Sequence, residues 1–154
     1  MDDRRDSMVE TKFLGMWNLV SWIQKTQDGK TSYPFGVDAI GHIIYTSDGF
    51  MSASLMTANR VSIGVSLEKL AIKPRYLMAI FRYLKAAATY VSYAGTYKIV
   101  GDTVVHHVQA SLYPDWVGTD LVRSYVFSDN RLTLRAEDPP NATQELVWEK
   151  ARKK

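Results

Sequence analysis

VSYAGTYKIVGDTVVHHVQASL, residues 91–112, is two strands and a turn in one line. Val91–Val100 and Thr103–Leu112 are rich in β-branched and aromatic residues, and the Gly101-Asp102 pair between them is the chemistry of a two-residue hairpin. That turn sets Ile99 across from Val104, Tyr97 across from His106 and Tyr93 across from Ala110. The opposite face then holds Lys98 with Val105 and Thr96 with His107, so one face is built for a core and the other for water. His106 falls on the core side.

The same pattern extends in both directions. Strands are predicted at Gly15–Lys25, Ile40–Thr46, Phe50–Met56, Asp120–Ser128, Arg131–Ala136 and Thr143–Lys150, which with the central pair makes eight. Short strands at this spacing, separated by turn residues, indicate a mainly β chain forming one antiparallel up-and-down barrel. Thr46-Ser47-Asp48-Gly49 is read as a four-residue loop that pairs Ile44 with Met51 and His42 with Ala53. Asp129-Asn130 pairs Phe127 with Leu132, Tyr125 with Leu134 and Arg123 with Ala136. The predicted interior is therefore Trp17, Leu19, Ile44, Met51, Ala53, Tyr93, Tyr97, Val104, Val108, Tyr125, Phe127 and Leu134, with His42, His106 and Arg123 as polar intruders.

Between the third and fourth of these strands lies a helical insertion, about residues 66–89. Leu77, Ile80, Phe81, Leu84 and Ala88 share one helical face, Arg75, Arg82 and Lys85 share the other, and Pro74 suits the first turn. Such a helix is expected to lay its apolar stripe against an open end of the barrel. The three hairpins gather at one end, and the long connections, including Tyr33–Gly36 and Tyr113–Asp120, gather at the other. Aromatic-rich loops at one end of a barrel form the mouth of a ligand site.

Composition sets outer limits. The 154 residues are 46% hydrophobic and 23% charged, the range of a single globular domain with a real core. The division expected is a leader at residues 1–12 without structure, a barrel domain at 13–150, and a basic tail at 151–154. The net charge of +3 is concentrated near the tail, in Lys150, Arg152, Lys153 and Lys154, and no basic stripe interleaved with aromatics indicates nucleic acid as a partner. The absence of Cys excludes disulfides and thiolate chemistry. No stretch has the length of a signal peptide core or a membrane span, and a cytoplasmic location is expected.

Two groups of residues carry a family resemblance. Gly15-Met16-Trp17 resembles the Gly-x-Trp element with which lipocalins open their barrels. Tyr33-Pro34-Phe35-Gly36, Tyr45-Thr46-Ser47-Asp48-Gly49, Gly95-Thr96-Tyr97, His106-His107 and Pro114–Thr119 resemble, in that order, the lipocalin-like domain proteins of bacteria and fungi, and together span residues 15–149. The resemblance implies a calycin-type barrel and, in natural-product biosynthesis, cofactor-free cyclases and isomerases.

Candidate site residues follow from the predicted interior. His106 beside Tyr97 is either a proton carrier near neutral pH or a core histidine satisfied by that phenol. His42, near the mouth, is a second proton carrier or a cap on the Tyr33–Gly36 loop. Arg123 needs a carboxylate or a bound anion beside it if it is buried. Asp115 and Asp120 bracket Trp116 and are candidate acids or bases, or simple turn aspartates. Tyr97, Tyr93, Tyr45, Trp116, Tyr125, Met51 and Phe35 are the expected ligand-binding surface. His42 and His106 lack a third inward ligand, so no metal is expected, and without a phosphate loop or dinucleotide fingerprint no cofactor is expected either. The leading functional expectation is a cyclase, isomerase or lyase acting by acid–base chemistry on an apolar natural-product-like molecule. The alternative is a non-catalytic carrier, with a second copy of the chain, as a homodimer, the other candidate partner.

Overall fold

Alternation of side chains governs the architecture. In the computed structural model, which describes residues 3–66, 76–138 and 142–152, nine strands form one antiparallel sheet. They are β1 (Gly15–Thr26), β2 (Thr31–Ser32), β3 (Ile40–Tyr45), β4 (Phe50–Met56), β5 (Tyr90–Val100), β6 (Thr103–Ser111), β7 (Asp120–Ser128), β8 (Arg131–Asp138) and β9 (Ala142–Lys150). Each pairs with the next in sequence, except that β3 pairs with β1 and β2 is a two-residue flap on the end of β1. The barrel closes where β1 runs along β9 from Trp17↔Lys150 to Thr26↔Ala142, with a bulge between Leu19 and Ser21. Eight strands thus enclose an interior with no free edge, and two α-helices among the described residues, α1 (Asp3–Phe13) and α2 (Leu77–Ala88), flank it. No helix among the described residues is long and apolar enough to cross a membrane.

Two of the three hairpins keep the expected register. Tyr97 faces His106, Ile99 faces Val104, Phe127 faces Leu132 and Tyr125 faces Leu134. The first hairpin differs by one residue: Tyr45 pairs with Met51 and Ile43 with Ala53. Thr46 N–H donates to Phe50 O at 2.9 Å across a three-residue loop, Ser47–Gly49, with Gly49 at φ +81°. That is a three-residue turn closed by a glycine bulge, one residue shorter than the loop expected. The one-residue difference turns β3 over, so Gly41, Ile43 and Tyr45 point inward while His42 and Ile44, expected inside, face outward. His42 lies beside Asn18, with Nδ1 and Oδ1 2.9 Å apart.

A second bulge, between Ala94 and Gly95, pairs Gly95 with Val108 and Tyr93 with Ser111 instead of Ala110. The strands approach closely here, and a Cβ on Gly95 would lie 1.9 Å from the carbonyl oxygen of His107. Only glycine fits.

The N-terminal residues depart from the expected leader, because α1 starts at Asp3 and delivers Phe13 into the barrel. Phe13 meets Tyr45, Tyr125 and Phe127 edge to face at 5.1, 5.0 and 4.9 Å, beside the three hairpin turns. Trp17 Nε1 donates to Phe13 O at 2.7 Å, and Lys150 Nζ donates to the carbonyls of Lys12 and Leu14. The hairpin end is thereby sealed with aromatic rings.

Helix α2 lies in the connection from β4 to β5 and ends beside the last rung of their ladder, Met56↔Tyr90. The part of the insertion at residues 67–75, including Pro74 and Arg75, lies outside the described residues. The apolar stripe does not pack inward as expected. Ala79 is buried and Ile80, Tyr83 and Ala86 are half-buried, whereas Leu77, Phe81 and Leu84 are 55%, 60% and 59% exposed. The helix is drawn in through its small residues, with Arg60 Nη2 donating to Ala86 O at 2.8 Å and Thr57 N–H to Thr89 O at 3.2 Å. These anchors fix its rotation, and its larger apolar residues are left outside.

Candidate functional site

With one end filled by aromatic side chains, the empty space lies toward the other. It is a cavity of about 280 Å³, near the lower end of the roughly 300–1,000 Å³ usual for small-molecule sites. Leu55 on β4, Val91 on β5, Leu121 on β7 and Leu134, Leu146 and Trp148 on β8 and β9 make its apolar wall. Two further indoles shape it. Trp22 on β1 donates from Nε1 to Gln144 Oε1 at 2.6 Å, and Phe35 packs on its ring edge to face at 4.7 Å. Trp116 is carried by a single 3₁₀ turn, Pro114–Trp116, held by Gly118 N–H donating to Val108 O at 2.8 Å. Its ring meets Tyr93 at 5.7 Å, nearly perpendicular.

Arg123, Glu137 and Tyr93 are the ionisable side chains of the lining. Arg123 is half-buried on β7, at the rung opposite Val104, and no hydrogen bond or ion pair to it occurs among the described residues. Trp148 is buried in the wall, and its indole N–H has no partner among the described residues.

Behind Tyr93 lies a chain of three polar rings in an otherwise apolar core. His106 Nδ1 is 3.1 Å from the Tyr93 hydroxyl and its Nε2 is 2.9 Å from the Tyr45 hydroxyl. The expected partner was Tyr97, but bulge-rotated β3 brings Tyr45 inward, and the Tyr97 hydroxyl donates instead to Thr46 O at 3.1 Å. Burial, and then the Arg123 charge, push the His106 pKa well below the ordinary 6.5, so the ring is neutral. Burial, with Tyr93 adding, holds the Tyr45 phenol well above 10. Burial raises Tyr97 to about 12.

The residues expected to form the site therefore separate. Arg123, Tyr93 and Trp116 line the cavity, with His106 and Tyr45 directly behind Tyr93. Met51, Tyr97 and Tyr125 belong to the packed core, where Tyr125 donates to Gly101 O at 2.8 Å, and Phe35 backs the wall. His42, Asp115 and Asp120 are on the exterior: Asp115 is exposed in the 3₁₀ turn, and Asp120 Oδ1 meets His107 Nδ1 at 2.7 Å on the outer face. Among the described residues no three His, Asp or Glu side chains converge as a metal would require. The lining residues that sequence reasoning passed over include Trp22, Gln144, Leu146 and Trp148. The alternation Gln144, Leu146, Trp148 along β9 was their signal, but β9 had no tight turn from which a register is drawn.

The sequence model of the lipocalin-like domain matches residues 14–151. No curated protein matches the chain. Among solved structures, a lipocalin-like protein from Bacteroides uniformis is similar at 13% identity, over 91% of this chain and 99% of that one, with a TM-score of 0.48. An uncharacterized protein from Bacteroides eggerthii is similar at 13% identity, over 90% and 99% of the two chains, with a TM-score of 0.47.

Proposed function

This chain belongs to the lipocalin-like domain family, a barrel suited to small apolar ligands, and from that premise we propose that it binds one apolar small molecule in the cavity beneath Trp116. The observation that carries the reading is the division of the interior. Phe13 and its neighbours fill one end, while the other keeps about 280 Å³ walled by leucines and indoles. Burying a ligand's apolar surface there is worth about 25 cal/mol for each Å² removed from water.

Binding is favoured over turnover because the acid–base groups are dispersed. His42, Asp115 and Asp120 face outward, and His106 is sealed behind Tyr93 with both nitrogens occupied. One observation supports the second reading, a cofactor-independent cyclase or isomerase of natural-product type. Tyr93, His106 and Tyr45 form a continuous hydrogen-bonded file from the cavity wall inward, a route along which a proton can be exchanged with a bound substrate.

Titration with an apolar fluorophore such as 1-anilinonaphthalene tests the binding reading. Saturable 1:1 binding is expected, accompanied by quenching of Trp22, Trp116 and Trp148, and is expected to be lost in Ala136→Trp, which fills the cavity. Equal binding by Ala136→Trp, or no saturation, would overturn it. Product formation from a prenylated phenol, abolished in Tyr93→Phe, would favour the catalytic reading instead.

A further inference from the structure

The polar groups of the cavity are unequal in kind, because among the described residues donors outnumber acceptors. Arg123 brings a guanidinium with no partner among the described residues. The side-chain carbonyl of the described wall, Gln144 Oε1, is already taken by Trp22 N–H. The other acceptor of the described lining is the carboxylate of Glu137, exposed near the end of β8, which takes the Thr143 hydroxyl at 3.5 Å. Trp148 adds a buried indole N–H with no partner among the described residues.

Tyr93 also lines the cavity, and the direction of the Tyr45–His106–Tyr93 file sets the role of its hydroxyl. A neutral imidazole donates from one nitrogen and accepts at the other. Were Nε2–H to donate to Tyr45, the hydroxyl proton of Tyr45 would be left in the core, where its only hydrogen bond among the described residues is to His106. The reverse arrangement strands no proton at Tyr45: Tyr45 O–H donates to Nε2 and Nδ1–H donates to the Tyr93 oxygen, so the unpaired proton falls on Tyr93, which lines the cavity. Tyr93 then has its own proton free, and its neighbour in the cavity is whatever occupies it. The core polarises Tyr93 into a donor.

We propose that the cavity selects apolar molecules bearing a carboxylate, one oxygen seated on the Arg123 guanidinium and the other accepting from the Tyr93 hydroxyl. The inference rests on the binding reading above and adds the chemical class of the ligand. An anion there gives Arg123 the partner it lacks, in a low-dielectric site where charge-assisted hydrogen bonds are strongest. The aromatic and aliphatic walls take the rest of the molecule. Glu137 at the rim opposes a second negative charge, so a monocarboxylate is favoured over a dicarboxylate.

Two probes of matched shape separate this inference from the reading beneath it. 1-Naphthaleneacetate and 2-(1-naphthyl)ethanol are titrated calorimetrically into the full chain at neutral pH. The acid is expected to bind about tenfold or more tighter than the alcohol. Arg123→Gln collapses that ratio towards one, and Tyr93→Phe reduces it several-fold. Arg123→Gln is also expected to unfold at a temperature no lower than the parent without ligand, since it removes a half-buried charge with no partner among the described residues; Arg123→Lys, which keeps the charge and loses the fork, retains an intermediate ratio. Equal affinity for acid and alcohol, or an unchanged ratio in Arg123→Gln and Tyr93→Phe, overturns the carboxylate and leaves the apolar site standing. Failure of both probes together with the fluorophore overturns the site itself.

Discussion

His106 owes its state to what surrounds it, since two phenols occupy its nitrogens and burial makes a second proton costly. Above about pH 6.5 the ring is neutral whether the chain is folded or not, and it adds no pH dependence. Below that value the unfolded chain takes up a proton that the folded barrel refuses. Stability therefore falls as pH drops from 6.5 towards the depressed folded value. At the alkaline end the phenols act with the same result: Tyr97 ionises only at about 12 when folded, and Tyr45 is also raised, so the unfolded chain releases protons first and stability falls as pH rises past 10. Urea unfolding at intervals between pH 4 and 11 checks both limbs, with the acid limb expected to flatten in His106→Phe. That His106 points inward was legible from a two-residue turn and strict alternation. Its partners were not, because they depend on where β3 and β5 place two tyrosines that are 61 and 13 residues away in sequence.

At the level of elements, one-residue differences decide which face is inner. A single glycine bulge at Gly49 exchanged the two sides of β3, replacing His42 with Tyr45 in the core, while the tighter turns at Gly101-Asp102 and Asp129-Asn130 transmitted the register as read. Helix α2 teaches the same lesson with period 3.6. Its amphipathic pattern identified a helix correctly, yet the anchors from Arg60 and Thr57 rotate Leu77, Phe81 and Leu84 away from the barrel. Phe81→Ser and Leu84→Ser are therefore expected to change folding stability by no more than about 0.5 kcal/mol each, since neither loses a buried contact. Ala79→Leu, which forces a larger side chain under the helix, is expected to cost about 1–3 kcal/mol. Chemical denaturation of the three variants distinguishes this packing from the reverse one, which would give the opposite ranking.

For the whole molecule, closure is asymmetric. One end is filled by Phe13 and the rings of Tyr45, Tyr125 and Phe127, and the space left over becomes the cavity at the other. Phe13→Ala is expected to cost about 3–5 kcal/mol by opening a void in that seal, measurable as a lowered urea midpoint at unchanged slope. A saturating ligand at 100 times its Kd would restore about 2.7 kcal/mol if the two ends are independent.

The sequence by itself determined the β-barrel class, the strand positions, two of three hairpin registers and the inward setting of His106 and Arg123. Each of these is local, resting on alternation with period two and on turns whose chemistry spans two residues. Only the tertiary structure decided that Phe13 closes one end, that Tyr45 rather than Tyr97 meets His106, and that Arg123 shares a cavity with Tyr93 and Trp148. The physical reason is closure: when β1 meets β9, residues more than 100 positions apart become neighbours, and bulges shift them by one residue in ways that no local pattern records.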